Sequence, residues 1–214
     1  MGIIVVGGQS RNVGKTSVVA GIITALPDIA WTALKITQFG HGICSRDGSA
    51  CHCSTADHSW ALSEEKSLNA DSDTSRFLVA GAKRVWWVRT EQGRLAEAMP
   101  AVRRRISESP NVIIESNSIV KFIRPDAYVT VLDPATEDFK RSAQEFLDRA
   151  DAVVLHAGKE IAWRGISMKA AEMCPIFRIS PPRYVTAELV EFVRKRILCS
   201  NAISESNAEP ISEL

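Results

Sequence analysis

The sequence predicts an α/β fold: a mostly parallel sheet of about seven strands with helices packed on both faces. Three observations carry that reading. Short, continuous apolar runs recur along the 214 residues, the pattern of strands buried on both sides in a parallel sheet. Between most of them lie segments whose apolar residues recur at three-to-four spacing, as right-handed crossover helices require. The composition, 45% hydrophobic and 24% charged, is that of a packed globular chain and excludes collagen-like, coiled-coil and wholly disordered classes.

In chain order, Ile3-Ile4-Val5-Val6 reads as a central strand closed by Gly7-Gly8. From Lys15 to Leu26 the apolar positions Val18, Val19, Ile22, Ile23 and Leu26 mark a helix, which Pro27 stops. Further strands are expected at Ala30 to Ile36, Arg84 to Arg89, Val112 to Glu115, Tyr128 to Leu132, Ala152 to Leu155 and Ile176 to Ile179. Helices are expected at Glu91 to Ser107, Asp138 to Ala150 and Thr186 to Leu198. Residues 1–199 thus form one domain with a Cys-rich irregular insertion at 38–70, followed by an acidic tail at 200–214 that is expected to be mobile.

Lys and Arg number 26 against 25 Asp and Glu, a net charge of +1. Nucleic-acid binding through charge alone is therefore not expected, and a small ligand is. The apolar runs are far too short to span a bilayer, and no signal-peptide pattern opens the sequence, so no membrane partner and a cytoplasmic location are expected.

Function is most legible between the first strand and the first helix. Gly8-Gln9-Ser10-Arg11-Asn12-Val13-Gly14-Lys15-Thr16 stands where a phosphate-binding loop belongs. Small residues let backbone N–H groups curl around a polyphosphate at the positive end of a helix, with Gly8, Asn12, Val13, Gly14, Lys15, Thr16 and Ser17 as the nucleotide-binding set. Lys15 supplies a cation at the β- and γ-phosphates and Thr16 a hydroxyl for Mg²⁺. Five residues separate Gly8 from Gly14, where the commonest form of this loop has four.

That longer spacing resembles the P-loop NTPases of the dethiobiotin synthetase group. Asp73-Thr74-Ser75 followed by Ala80-Gly81-Ala82 resembles a segment of the molybdopterin-guanine dinucleotide biosynthesis protein MobB, and Val112-Ile113-Ile114-Glu115 resembles the acidic strand end of both families. The likeness runs through about the first 135 residues. It implies an Mg²⁺ shell drawn from Thr16, Asp73 and Glu115, and Lys35 as a second cation facing the γ-phosphate or an acceptor, with Lys15, Lys35 and Glu115 as the catalytic set. Asp73 serves equally as a helix N-cap, and Lys35 as a solvated side chain. Ser116-Asn117-Ser118 departs from both families at a position where they usually place Gly, and offers side chains able to orient water or an acceptor.

The resemblance implies an enzyme or assembly factor of cofactor metabolism that binds ATP or GTP with Mg²⁺, together with a small-molecule or cofactor substrate, a partner enzyme of cofactor biosynthesis, or a second copy of itself. A dethiobiotin-synthetase-like ligase and a nucleotide-switched metal carrier or sensor are the alternatives. No Asn-Lys-x-Asp motif selects guanine. The base is expected near His156-Ala157-Gly158 and Ser180-Pro181-Pro182.

A second constellation lies in the insertion. Cys44, Cys51 and Cys53 fall within ten positions, with His41, His52 and His58 beside them, so Zn²⁺ or an iron–sulfur cluster is weighed against plain cytosolic thiols. Cys174 and Cys199 read as core and surface thiols. Trp86-Trp87 reads as core, and Arg103-Arg104-Arg105 as a solvated helix face.

Replacing Lys15 with Ala is expected to abolish triphosphate binding while the fold stays intact, because the backbone cradle alone is too weak. Nucleotide titration with a circular-dichroism control measures both, and wild-type affinity in Lys15→Ala would remove the phosphate-loop assignment.

Overall fold

The computed structural model describes residues 1–39, 59–158, 160, 163, 165–169 and 173–206. β1 (Gly2–Gly8), β2 (Trp31–Phe39), β3 (Trp60–Glu64), β4 (Arg84–Glu91), β5 (Asn111–Glu115), β6 (Ala127–Leu132), β7 (Ala152–His156) and β8 (Ile176–Ile179) form one sheet in the order β3-β4-β2-β5-β1-β6-β7-β8. All neighbours are parallel except β3 and β4. The helices are α1 (Lys15–Ala25), α2 (Asp73–Val79), α3 (Leu95–Ser107), α4 (Arg141–Glu145) and α5 (Ala187–Ser206).

The fold class is the α/β class the sequence predicts, with layers on both sides of the sheet. Alternate residues of β1 divide between the two cores: Ile4 and Val6 join Val18, Ile22 and Phe77 with Val193 and Ile197 of α5, whereas Val5 joins Leu95, Met99 and Val102 of α3. The pleat itself makes that division, since successive side chains point to opposite faces.

Among the described residues the sheet has eight strands where about seven were expected. The extra one, β3, lies inside the stretch expected to be irregular and runs antiparallel against β4, Leu62 opposite Val88. Its five residues carry no strong alternation and stay exposed at Trp60 and Glu64. The β4 edge, rather than local propensity, makes it a strand.

Other boundaries also move. β4 runs on to Glu91, so α3 begins at Leu95 instead of Glu91, after a turn in which Gly93 takes φ 87°. The expected helix over Asp138–Ala150 is reduced to α4 and a 3₁₀ turn at Leu147–Arg149. α5 continues past residue 199 to Ser206, where Ser200 Oγ donates to the Met1 carbonyl at 2.8 Å and Asn201 reaches Asn111 at 3.4 Å. These contacts dock the start of the expected tail against the beginning of β1 and β5; residues 207–214 lie outside the described residues.

Trp86 is buried, with the Arg84 and Arg105 guanidinium groups 4.8 and 4.3 Å from its ring. Trp87 is only half-buried and donates to Thr37 Oγ1 at 3.1 Å. Arg105 therefore covers the core and is not part of a freely solvated face. Cys174 is half-buried and Cys199 exposed.

Among the described residues no helix is long and apolar enough to cross a membrane. Ile113, at the centre of β5 and without exposed surface, tests the packing: Ile113→Ala should lower stability by about 2–5 kcal/mol, read as a fall in the denaturant midpoint.

Candidate functional site

The site forms at the carboxyl ends of β1, β5 and β2, where a parallel α/β sheet collects ligands. The chain leaves β1 at Gly8, turns through Asn12 with φ 60° and enters α1 through Gly14 with φ 91°. Only glycine fits at 14, because a Cβ there would also lie 2.4 Å from the Tyr184 ring. α1 has no side-chain cap at its start and no acidic residue in its first turn. Its orphan N–H groups and positive end therefore favour an anion.

The loop is held from outside. Gly8 N–H donates to Asn117 Oδ1 at 2.7 Å and Asn117 Nδ2 returns a bond to the Gly8 carbonyl at 2.9 Å. The Gln9 side chain accepts from Asp133 N–H at 2.7 Å and donates to the Thr136 carbonyl at 2.8 Å, while Ser10 bonds Asp138. His156 Nε2 meets the Val13 carbonyl at 3.1 Å.

Lys15 reaches back to the Ser10 carbonyl. Burial pushes its ammonium down to about 8, against the raising effect of Glu115 and alongside the lowering effects of Lys140 and Lys35. Lys140 is lowered for related reasons, first by burial and then by Arg11. A polyphosphate arriving here would relieve the crowding of these cations.

Beside the loop, Lys35 stands next to Glu115 in register on the neighbouring strand. Its Nζ lies 2.7 Å from Glu115 Oε1 and 2.7 Å from Asp73 Oδ2. Thr16 Oγ1 donates to the other Glu115 oxygen at 2.8 Å. Burial tends to raise the Asp73 carboxyl, but the hydrogen bond and charge of Lys35, helped by Arg76, hold it below the usual carboxylate range.

The structure thus gathers Thr16, Lys35, Asp73 and Glu115 at one point beside the loop that carries Gly8, Asn12, Val13, Gly14, Lys15 and Ser17. Lys35 is engaged, not solvated. Asp73 is not the N-cap of α2: Ser72 is, in a reciprocal capping box with Ser75. That leaves the Asp73 carboxylate for the site.

Two expectations change. Asn117 is spent on Gly8, and Ser116 Oγ accepts from Ile119 N–H at 3.3 Å. Asn117 therefore braces the loop after β1 and Ser116 bonds into the following 3₁₀ turn, so these two side chains are not presented free to a substrate. Sequence reasoning also missed Gln9, Asp138, His156 and Tyr184 as loop supports. Their partners lie on average more than a hundred residues away, so no local pattern announces them.

A cavity of about 380 Å³ opens alongside α1, lined by Ser17, Gly21, Arg76 and residues 182–185. Arg76 donates to Ser17 Oγ at 3.0 Å. Of these, Pro182 belongs to the Ser180-Pro181-Pro182 turn expected near the base. Cys44, Cys51 and Cys53, with His41, His52 and His58, lie outside the described residues; the chain leaves β2 at Phe39, bonded to Gln92 N–H, and returns at Ser59, bonded to Glu91 N–H. Among the described residues no group of three or more His, Cys, Asp or Glu side chains is placed to hold a metal.

No family model matches the chain. No curated protein is similar to it at a significant level. Among solved structures, HypB from Helicobacter pylori in complex with nickel aligns over 99% of this chain and 91% of its own at 12% identity and a TM-score of 0.43. LpxK from Aquifex aeolicus in complex with ATP aligns over 83% and 53% at 18% identity and 0.46. The signal recognition particle receptor FtsY from Elizabethkingia anophelis in complex with GDP aligns over 92% and 63% at 14% identity and 0.43. At these identities and scores none of their ligands or activities transfers to this chain.

Asn117→Ala should leave the Gly8 N–H and carbonyl without their partner, lowering stability by about 1–3 kcal/mol and weakening nucleotide binding in step. Paired denaturation and nucleotide titrations test this; unchanged nucleotide affinity would make Asn117 a purely structural residue.

Proposed function

We propose that this chain binds a nucleoside triphosphate with Mg²⁺ and hydrolyses it or transfers its γ-phosphoryl group. The observation that carries the reading is the convergence of Thr16, Lys35, Asp73 and Glu115 beside a phosphate loop whose helix start is uncapped. Hard oxygen donors from one hydroxyl and two carboxylates suit Mg²⁺, which prefers such ligands and keeps waters and substrate phosphates in its remaining positions. Thr16, Asp73 and Glu115 would hold the ion, and bound there it would offset charge on the phosphate oxygens.

The chain's own residues do the rest. The loop amides and the α1 start take the phosphates, Lys15 sits against the β- and γ-positions, and Lys35 supplies positive charge where the terminal group would leave. The nucleoside extends toward the cavity between Ser17, Gly21 and Tyr184. No guanine-selecting motif is present to decide between ATP and GTP.

The finer assignment is a role in cofactor metabolism, as for MobB. It rests on the Asp73 to Ala82 and Val112 to Glu115 segments and on the place of Asp73 and Glu115 around Lys35. Phosphate release from ATP and GTP, with and without Mg²⁺ and without a second substrate, separates simple hydrolysis from a ligase-like reaction that needs an acceptor.

Glu115→Gln should retain nucleotide but lower Mg²⁺-dependent turnover on the order of a hundredfold or more, the scale set by a misplaced reacting group. Turnover equal to wild type would make Glu115 structural only.

A further inference from the structure

We propose that Lys35 is a built-in counter-cation that closes the metal site until a nucleotide draws the lysine away, so that the divalent cation is taken up only together with the triphosphate. This rests on the nucleotide and Mg²⁺ reading above and adds an order of binding to it.

The geometry of one ammonium group carries the inference. Lys35 Nζ bridges carboxylates from two separate elements, Asp73 at the start of α2 and Glu115 at the end of β5, at 2.7 Å each. The oxygens left over are turned to other donors. Glu115 Oε2 accepts the Thr16 hydroxyl at 2.8 Å, and Asp73 Oδ1 faces the Arg76 guanidinium at 3.9 Å. Every carboxylate oxygen of the cluster is therefore directed at a hydrogen-bond donor or a cation.

A divalent ion needs those same oxygens. Mg²⁺ requires them at about 2.0–2.1 Å, which would set it within a few ångströms of the ammonium. The Lys35 side chain is 16% exposed and that of Glu115 6%, against 45% for Asp73, so on the Glu115 side solvent screens such a like-charge pair poorly. Lysine and metal compete for the two carboxylates, and without nucleotide the lysine has nowhere better to go.

A triphosphate changes that balance. Lys35 belongs to the same electrostatic cluster as Lys15 and Lys140, both of which it affects. A terminal phosphate beside Lys15 offers it several anionic oxygens, and its four-carbon stem is flexible enough to turn. The carboxylates it leaves then face the metal that accompanies the phosphates. Nucleotide and metal are thereby coupled positively, and by linkage each tightens the other. Free Mg²⁺ alone does not load the site.

The test is Mn²⁺ binding to the nucleotide-free protein, followed by electron paramagnetic resonance of the free ion, in wild type, Lys35→Met and Lys35→Arg. Wild type should bind Mn²⁺ only at millimolar concentration, Lys35→Met about tenfold tighter or more, and Lys35→Arg no tighter than wild type. Lys35→Met that folds, by circular dichroism, but gains no Mn²⁺ affinity would overturn the proposal, as would micromolar Mn²⁺ binding by nucleotide-free wild type. Should Lys35→Met not fold, Lys35→Gln replaces it with the same expected gain. Binding of a fluorescent, non-hydrolysable ATP or GTP analogue to wild type is measured in parallel. Its absence would remove the nucleotide reading, while the Mn²⁺ measurements still decide whether Lys35 closes the carboxylate pair.

Discussion

A buried carboxylate organises this molecule. Glu115 ends a strand whose five residues are all buried, between β1 and β2 in the middle of the sheet. An ionised group there is costly unless it is both paired and hydrogen-bonded. Thr16 answers one oxygen from the first turn of α1 and Lys35 the other from β2. Lys35 in turn brings in Asp73, and with it the start of α2. Two helices and two strands are thereby drawn to a single point, and that point adjoins the phosphate loop.

The loop itself is held by partners that lie elsewhere in the chain. Asn117 fixes its entry, the 133–140 segment fixes Gln9 and Ser10, and His156 meets it at Val13. These supports leave the N–H groups at the start of α1 without side-chain partners. A scaffold that satisfies the rest of the loop while leaving those donors oriented lowers the reorganisation needed to receive phosphate oxygens.

Local charge also differs from the average. The chain carries a net charge of only +1, yet Lys15, Lys35, Lys140 and Arg11 act on one another around the loop strongly enough for burial and mutual repulsion to lower Lys15 and Lys140. Positive charge held close together in a partly buried site is poised for an anion, whereas the same number of cations spread over the surface would not be. The carboxylate pair opposite them keeps the cluster stable in the meantime.

By itself the sequence determined the α/β class, the position of seven strands and the glycine-rich turn between the first strand and the first helix, because these rest on short-range signals: apolar runs, helical spacing and Gly-Lys-Thr after a strand. Lys35, Asp73 and Glu115 could be singled out through the resemblance, although their roles stayed open between ligand, cap and solvated side chain. Tertiary structure set their partners. Ser72 took the cap, freeing Asp73; Lys35 turned from solvent to two carboxylates; Asn117 turned from substrate to Gly8. It also made Trp60–Glu64 a strand and carried α5 beyond its expected end. Apart from the local Ser72–Ser75 box, each outcome depends on a partner distant in the chain, such as Gly8 for Asn117 or β4 for β3. A side chain's role is set by which donor or acceptor the fold brings within about 3 Å, and spacing along one strand or helix does not contain that information.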